Sequence, residues 1–141
     1  MLITRRAEFS ASHVCRLARL SDEENRALYG AAANPHGHGH NYVLAVTLEG
    51  DPEPETGMVF DLKRLKDVLQ REVVEPMDHR FLNREVPPFD TVVPTAENLA
   101  MEVWRRIEPH LAGPRVRLHG VRIYETEDLY VDYFGEQPCS A

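Results

Sequence analysis

The stretch Asn34–Gly50, NPHGHGHNYVLAVTLEG, decides the fold class. From His38 onward, imidazole or apolar side chains fall on every second residue: His38, His40, Tyr42, Leu44, Val46 and Leu48. That period is the signature of a strand with one buried face, because successive side chains point to opposite sides of a pleated sheet. A helix would need its histidines at i and i+4, and Gly37 and Gly39 would each cost it about 1 kcal/mol. The strand reading wins over His38–Gly50. The glycines also leave room for a ligand or another backbone to come close. Just ahead stands GAAA, Gly30–Ala33, which carries no titratable side chain.

Working outward, residues 2–13 alternate too, with Ile3, Ala7, Phe9, Ala11 and His13 on one side, which predicts a second strand. In SDEEN, Ser21 with Glu24 three residues on forms a capping box, opening a short helix that stops near Gly30. GDPEPETG, residues 50–57, is dense in Gly and Pro and reads as a turn. Asp61 can cap a helix whose apolar positions are Leu62, Leu65, Leu69 and Val73. PMDHRFLNREVPPFD, residues 76–90, is punctuated by proline and reads as irregular. A further helix begins after Pro94, capped by Thr95, with Leu99, Val103, Ile107 and Leu111 on one stripe. Strands at about 115–125 and 129–134 close the pattern. The expected architecture is α+β: a four-stranded antiparallel sheet with two main helices on one face. Such a sheet has open edges, which proteins cover or pair, so self-association through them is expected.

With 141 residues, 43% hydrophobic and 28% charged, the chain has the composition of one soluble globular domain spanning 1–141. The formal net charge of −7 argues against a nucleic-acid partner, whose phosphates select basic surfaces. No apolar run reaches the ~20 residues that cross a bilayer. MLITRRAEFSASH lacks the apolar centre of a secretory signal and is read as mature structure, and the expected location is the cytoplasm. The two cysteines, Cys15 and Cys139, do not make a disulfide framework, which suits a reduced compartment.

The histidines carry the chemistry. Residues two apart on a strand share a face at roughly 6.5–7 Å, so His38 and His40 can lean toward one ion. A third ligand is needed, and His13, ending the first strand on its inward face, is the natural candidate. Three neutral imidazoles leave a fourth position open, the arrangement of a catalytic Zn2+ site. A lone histidine reads as an ordinary polar residue, whereas three in this pattern point to metal. His36, beside Pro35, is left out of the ligand set.

The ordered set of motifs resembles the 6-pyruvoyltetrahydropterin synthases and the related 6-carboxytetrahydropterin synthases. It comprises FSASH at Phe9–His13, LSDEEN at Leu20–Asn25, NPHGHGHNY and TGMV at Thr56–Val59. DLKRLK, MDHRFLN at Met77–Asn83, PTAEN at Pro94–Asn98 and YETED at Tyr124–Asp128 complete it. The resemblance implies a tunnelling fold, in which sheets of several subunits join into a barrel. It implies a homohexamer, a dimer of trimers with active sites between subunits, acting on 7,8-dihydroneopterin triphosphate. It places zinc on His13, His38 and His40, a proton relay on Asp78 and His79, and the pterin anchor on Glu125. Thr95 and Glu97 fall in a segment that helps hold the ring, although a helix cap and a favourable first-turn acid explain them equally well. In the 6-pyruvoyl-forming members triphosphate is eliminated while side-chain protons move. In the 6-carboxy-forming relatives the side chain is cleaved toward a precursor of deazapurine nucleosides, and other divergent members cut it toward a folate precursor.

One departure stands out. Aligned on the family pattern, Ala32 takes the place of the cysteine regarded as general base in the 6-pyruvoyl-forming members. Alanine cannot move a proton. Cys15, two residues beyond His13 and on the same side of a continuing strand, is a candidate replacement. The competing reading of Cys15 is a buried, inert thiol. Cys139 is given no role. Three functions therefore compete: 6-pyruvoyltetrahydropterin synthesis, a side-chain-cleaving variant such as 6-carboxytetrahydropterin synthesis, and a weakly catalytic pterin- or metal-binding protein.

Overall fold

A computed structural model describes residues 1–111 and 113–136, so Cys139 lies outside the described residues. Strand β1 (Leu2–His13) and strand β2 (His38–Gly50) pair antiparallel over their whole lengths, from Leu2 opposite Glu49 to His13 opposite His38. Helix α1 (Asp22–Tyr29) lies between them in sequence and carries the expected capping box. Ser21 Oγ accepts from the Glu24 N–H at 3.1 Å, and the Glu24 carboxylate accepts from the Ser21 N–H at 2.8 Å. Helix α2 (Leu62–Leu69), capped by Asp61, widens into a π-turn at Gln70–Val74 and ends in the short helix α3 (Glu75–Met77). Strand β3 (Arg80–Phe81) and helix α4 (Leu82–Glu85) follow, then helix α5 (Ala96–Leu111), strand β4 (Val116–Tyr124) and strand β5 (Tyr130–Tyr133).

The strand order is β3-β1-β2-β4-β5, and this corrects the expected sheet. It has five strands, not four, and it is mixed, because β3 pairs parallel with β1 at Ala11 and Ser12. Two residues in a proline-punctuated segment carry no period, so β3 exists through its partner strand and not through its own pattern. The segment read as irregular thus contributes α3, β3 and α4.

The helix-facing side of β2 is fully buried at Tyr42, Leu44, Val46 and Leu48. These side chains meet Leu65, Val68 and Leu69 of α2 and Leu99, Val103 and Ile107 of α5 in one core. Burying an aliphatic side chain of this size is worth about 1.5–3 kcal/mol, which is what holds both helices on one face of the sheet. Gly39 lets β2 run close to β1, since a Cβ there would sit 3.1 Å from the Ala11 carbonyl oxygen. Gly37, at φ +76°, turns the chain into β2 in a conformation that side-chain-bearing residues disfavour.

The far side of α5 is tied down by a buried carboxylate. Glu102 is 5% exposed and accepts from Arg105 at 2.6 and 2.8 Å and from Arg106 at 2.7 Å. Arg106 also donates to the Pro87 carbonyl at 2.8 Å, linking the helix to the loop before it. Burial raises the Glu102 pKa, but the hydrogen bonds from Arg105 and Arg106 outweigh it and hold the carboxyl below its ordinary value. A depressed native pKa means stability that is present above the unfolded-state value and lost as pH falls through the native one. Glu102→Gln should lower unfolding free energy by about 2 kcal/mol near neutral pH. The gap to wild type should close in acid, which urea titrations at pH 7 and pH 3.5 would measure.

Candidate active site

The register of β1 against β2 builds the site. His13 sits opposite His38, and His40 sits opposite Ala11, so the three inward imidazoles converge at one end of the sheet. Their nitrogens lie within 4.8 Å of one another, which makes them a metal-capable cluster among the described residues. His13 Nε2 and His38 Nε2 are 3.0 Å apart, near the ~3.3 Å that separates two nitrogens on a tetrahedral ion with bonds of about 2.0–2.1 Å. Among the described residues, His40 Nε2 and His38 Nδ1 are buried without a hydrogen-bond partner. Buried polar atoms are seldom left unpaired, and a cation beside the Nε2 atoms of His13 and His38 would also satisfy His40 Nε2, whereas His38 Nδ1 lies on the other side of its ring. The donor set therefore fits Zn2+.

His13 is 1% exposed, and its Nδ1 makes a 2.7 Å hydrogen bond to the Pro94 carbonyl. A carbonyl only accepts, so Nδ1 carries the proton and Nε2 presents its lone pair. Burial lowers the His13 pKa more than the Pro94 contact raises it, and burial likewise lowers His40 against the opposing pull of Glu125. Both shifts favour the neutral form a metal requires. The Tyr42 hydroxyl, beneath the cluster, lies 3.4 Å from His13 Nδ1.

Asp78 and His79 are brought into direct contact: His79 Nδ1 is 2.9 Å from Asp78 Oδ2. The other Asp78 oxygen accepts from the Ser10 N–H at 2.8 Å. That bond, followed by the one from His79, holds the Asp78 carboxyl below its ordinary value. His79 adopts φ 58°, a left-handed backbone costly for a non-glycine residue, and its N–H donates to the Ser10 carbonyl at 2.6 Å. His79 and His40 line one cleft of about 540 Å³ with Ser12, Asn41 and Phe81. His40 also borders a second cleft, of about 730 Å³, with Arg6, Tyr124 and Glu125. Glu125 Oε1 is 3.6 Å from His40 Nε2, so the carboxylate overlooks the histidine cluster. A wider cleft of about 850 Å³ between α5 and β5 contains none of these residues.

Thr95 caps α5, its hydroxyl accepting from the Asn98 N–H at 3.3 Å, while Glu97 is exposed in the first turn. Cys15 is 5% exposed, with Sγ 4.0 Å from His13 Nδ1 and 4.0 Å from the Pro94 carbonyl. The thiol therefore lies behind His13, on the side away from His38, and burial with the nearby Glu125 and Glu97 carboxylates pushes it up to about 11. His36 is exposed and stays outside the cluster. Arg16 pairs with Asp22, and Arg80 pairs with Glu85 at 3.3 Å.

Residues 2–136 match the family model described as 6-pyruvoyl tetrahydropterin synthase. The chain belongs to that family. The 6-pyruvoyl tetrahydrobiopterin synthase of Homo sapiens is 44% identical over 134 residues, covering 95% of this chain and 91% of its own. The 6-carboxy-5,6,7,8-tetrahydropterin synthase of Rickettsia felis is 28% identical over 145 residues, covering 92% and 96% respectively. The structure of the Caenorhabditis elegans 6-pyruvoyl tetrahydropterin synthase superimposes with a TM-score of 0.90 at 38% identity, covering 96% of each chain. The Plasmodium vivax synthase, at TM-score 0.63 and 14% identity, shares the fold.

Within this synthase family the place of Ala32 matters. It lies on the 3₁₀ turn Gly30–Ala33, where its carbonyl accepts from the Cys15 N–H at 2.9 Å. That bond sets the Ala32 backbone beside the segment leaving His13.

Proposed function

We propose that this protein is a zinc-dependent lyase that converts 7,8-dihydroneopterin triphosphate to 6-pyruvoyltetrahydropterin. The observation that carries the reading is the convergence of His13, His38 and His40, with ligand nitrogens within 4.8 Å of one another and His40 Nε2 buried without a hydrogen bond among the described residues. His13, His38 and His40 would hold Zn2+, which when bound acidifies a hydroxyl and stabilises developing negative charge on oxygen. Glu125, at the edge of both the cluster and its cleft, accepts hydrogen bonds from the aminopyrimidine N–H groups of the pterin. Thr95 and Glu97 extend the hold on the ring. Asp78 orients His79 and stabilises its cation, so His79 can take a proton from one side-chain carbon and return it at another. Cys15 stays out of the proton path because it faces the back of His13.

The same reading includes assembly. Among the described residues of one chain, β1 has a second neighbour only at Ala11 and Ser12, and β5 pairs only with β4. Those free edges suit closure of several sheets into a barrel, and we assign a hexamer built from two trimers. No described helix is long and apolar enough to cross a membrane, and the buried cysteine is free, which accords with a cytoplasmic enzyme.

Ala32 favours a second reading, side-chain cleavage of the 6-carboxytetrahydropterin or folate-precursor type, because the thiol base of the 6-pyruvoyl-forming members is missing. Incubation with Zn2+ and 7,8-dihydroneopterin triphosphate, followed by mass spectrometry, separates the two. The expected products are inorganic triphosphate and 6-pyruvoyltetrahydropterin, with turnover lost after chelation and regained with Zn2+. A carboxylated or side-chain-free pterin would establish the second reading. Tight pterin binding without turnover would make the protein a binding homologue.

A further inference from the structure

Three of the sequence motifs end in asparagine, and each of these asparagines closes hydrogen bonds onto backbone elsewhere. Asn83, ending MDHRFLN, accepts from the Val14 N–H at 2.8 Å and donates to the Val14 carbonyl at 2.9 Å. Asn98, ending PTAEN, donates to the Val93 carbonyl at 2.8 Å. Asn25, ending LSDEEN and fully buried, accepts from the Leu17 N–H at 2.7 Å and donates to the Leu17 carbonyl at 3.0 Å.

The first two of these bear on His13. Past His13 the chain leaves the sheet, and β3, which pairs with β1 at Ala11 and Ser12, turns away into α4 at Leu82. The Asn83 side chain then offers Val14 one acceptor and one donor, the pair that a neighbouring strand would supply. It continues the β1 edge by one residue, directly after the histidine. On the other side, Val93 precedes Pro94, whose carbonyl receives the His13 Nδ1 proton at 2.7 Å. Asn98 pins that carbonyl's neighbour. One amide thus holds the backbone of Val14, the residue after His13, and the other holds the carbonyl of Val93, the residue before the acceptor of its Nδ1. Asn25 grips a stretch four to eight residues further on and touches neither.

We propose that Asn83 and Asn98 are positioning residues for His13, keeping its Nε2 aimed at His38 and His40. The inference rests on the metal reading above. Partners that hydrogen-bond a metal-bound histidine directly are typically worth about 10–100-fold in metal affinity, and Asn83 and Asn98 act one contact further out. Aspartate keeps the shape of asparagine but cannot donate, so Asn83→Asp and Asn98→Asp each remove one backbone contact with little change in volume.

The test is metal affinity, measured by competition with a chromophoric chelator, together with the visible spectrum of the Co2+ form. Asn83→Asp and Asn98→Asp should bind Zn2+ about 3–10-fold more weakly, less than the loss of a direct partner, and shift the Co2+ bands. Asn25→Ala, the control, should lower the melting temperature yet keep Zn2+ affinity within about twofold of wild type. Should an aspartate variant fail to fold, Asn83→Ser and Asn98→Ser, which keep a smaller donor, replace it in the same assays. Lower stability with unchanged affinity and spectrum in the Asn83 and Asn98 variants overturns the positioning role alone. A wild-type chain that binds no metal overturns the metal reading and this inference together.

Discussion

His40→Ala should leave the protein folded, without its metal and nearly inactive. The side chain is partly exposed at the sheet end, so its removal costs little core packing, but it removes one of three converging nitrogens. Two imidazoles do not make a closed-geometry site for Zn2+, and the charge stabilisation available to the reaction goes with the ion. We expect kcat/KM to fall at least about a thousandfold, roughly 4 kcal/mol of transition-state stabilisation. Elemental analysis should find bound zinc near one per chain in the wild type and close to none in the variant. A variant that retained both zinc and rate would remove His40 from the ligand set, and one that lost zinc but kept its rate would remove the metal from the mechanism.

Ala32→Cys should do the opposite. The 3₁₀ turn places residue 32 beside the His13–Cys15 segment, and Ala32 is only half-buried, so one sulfur atom fits without displacing the core. A thiol close to a metal centre has a lowered pKa and serves as a base near neutral pH. General-base assistance is commonly worth 10²–10⁴-fold, and we expect at least about a hundredfold gain in 6-pyruvoyltetrahydropterin formation. Product analysis by mass spectrometry reads the rate and the product together. If the rate did not rise, the native chain would already possess an equally good base. His79, oriented by Asp78, would then be the first residue to replace.

Much of this molecule was legible in the sequence. Period two marked His38–Gly50 with the bounds the strand has, and period 3.6 marked the helices that cover it. Ser21, Asp61 and Thr95 announced the helix starts because a cap is a local interaction, made within three residues. The histidine cluster was legible for the same reason: two of its members share a strand face, and the third ends the strand expected beside it. β3 was not legible, since two residues have no period. Nor was the left-handed backbone of His79, which is paired to Ser10 across the sheet. The Pro94 carbonyl that orients His13 belongs to the backbone, and no side-chain pattern identifies it.

Local rules act over a few residues, and they are written in the order of the chain. They determined strands β1, β2, β4 and β5, helices α1, α2 and α5, their buried faces and a family-like set of motifs around three histidines. Only the tertiary structure decided which nitrogen of His13 carries its proton and that Cys15 lies behind it. It also decided that Asp78 accepts from the Ser10 N–H and that Glu125 overlooks His40. Those facts depend on side chains and carbonyls from segments far apart in sequence, held at hydrogen-bond distances that the packed core alone can set.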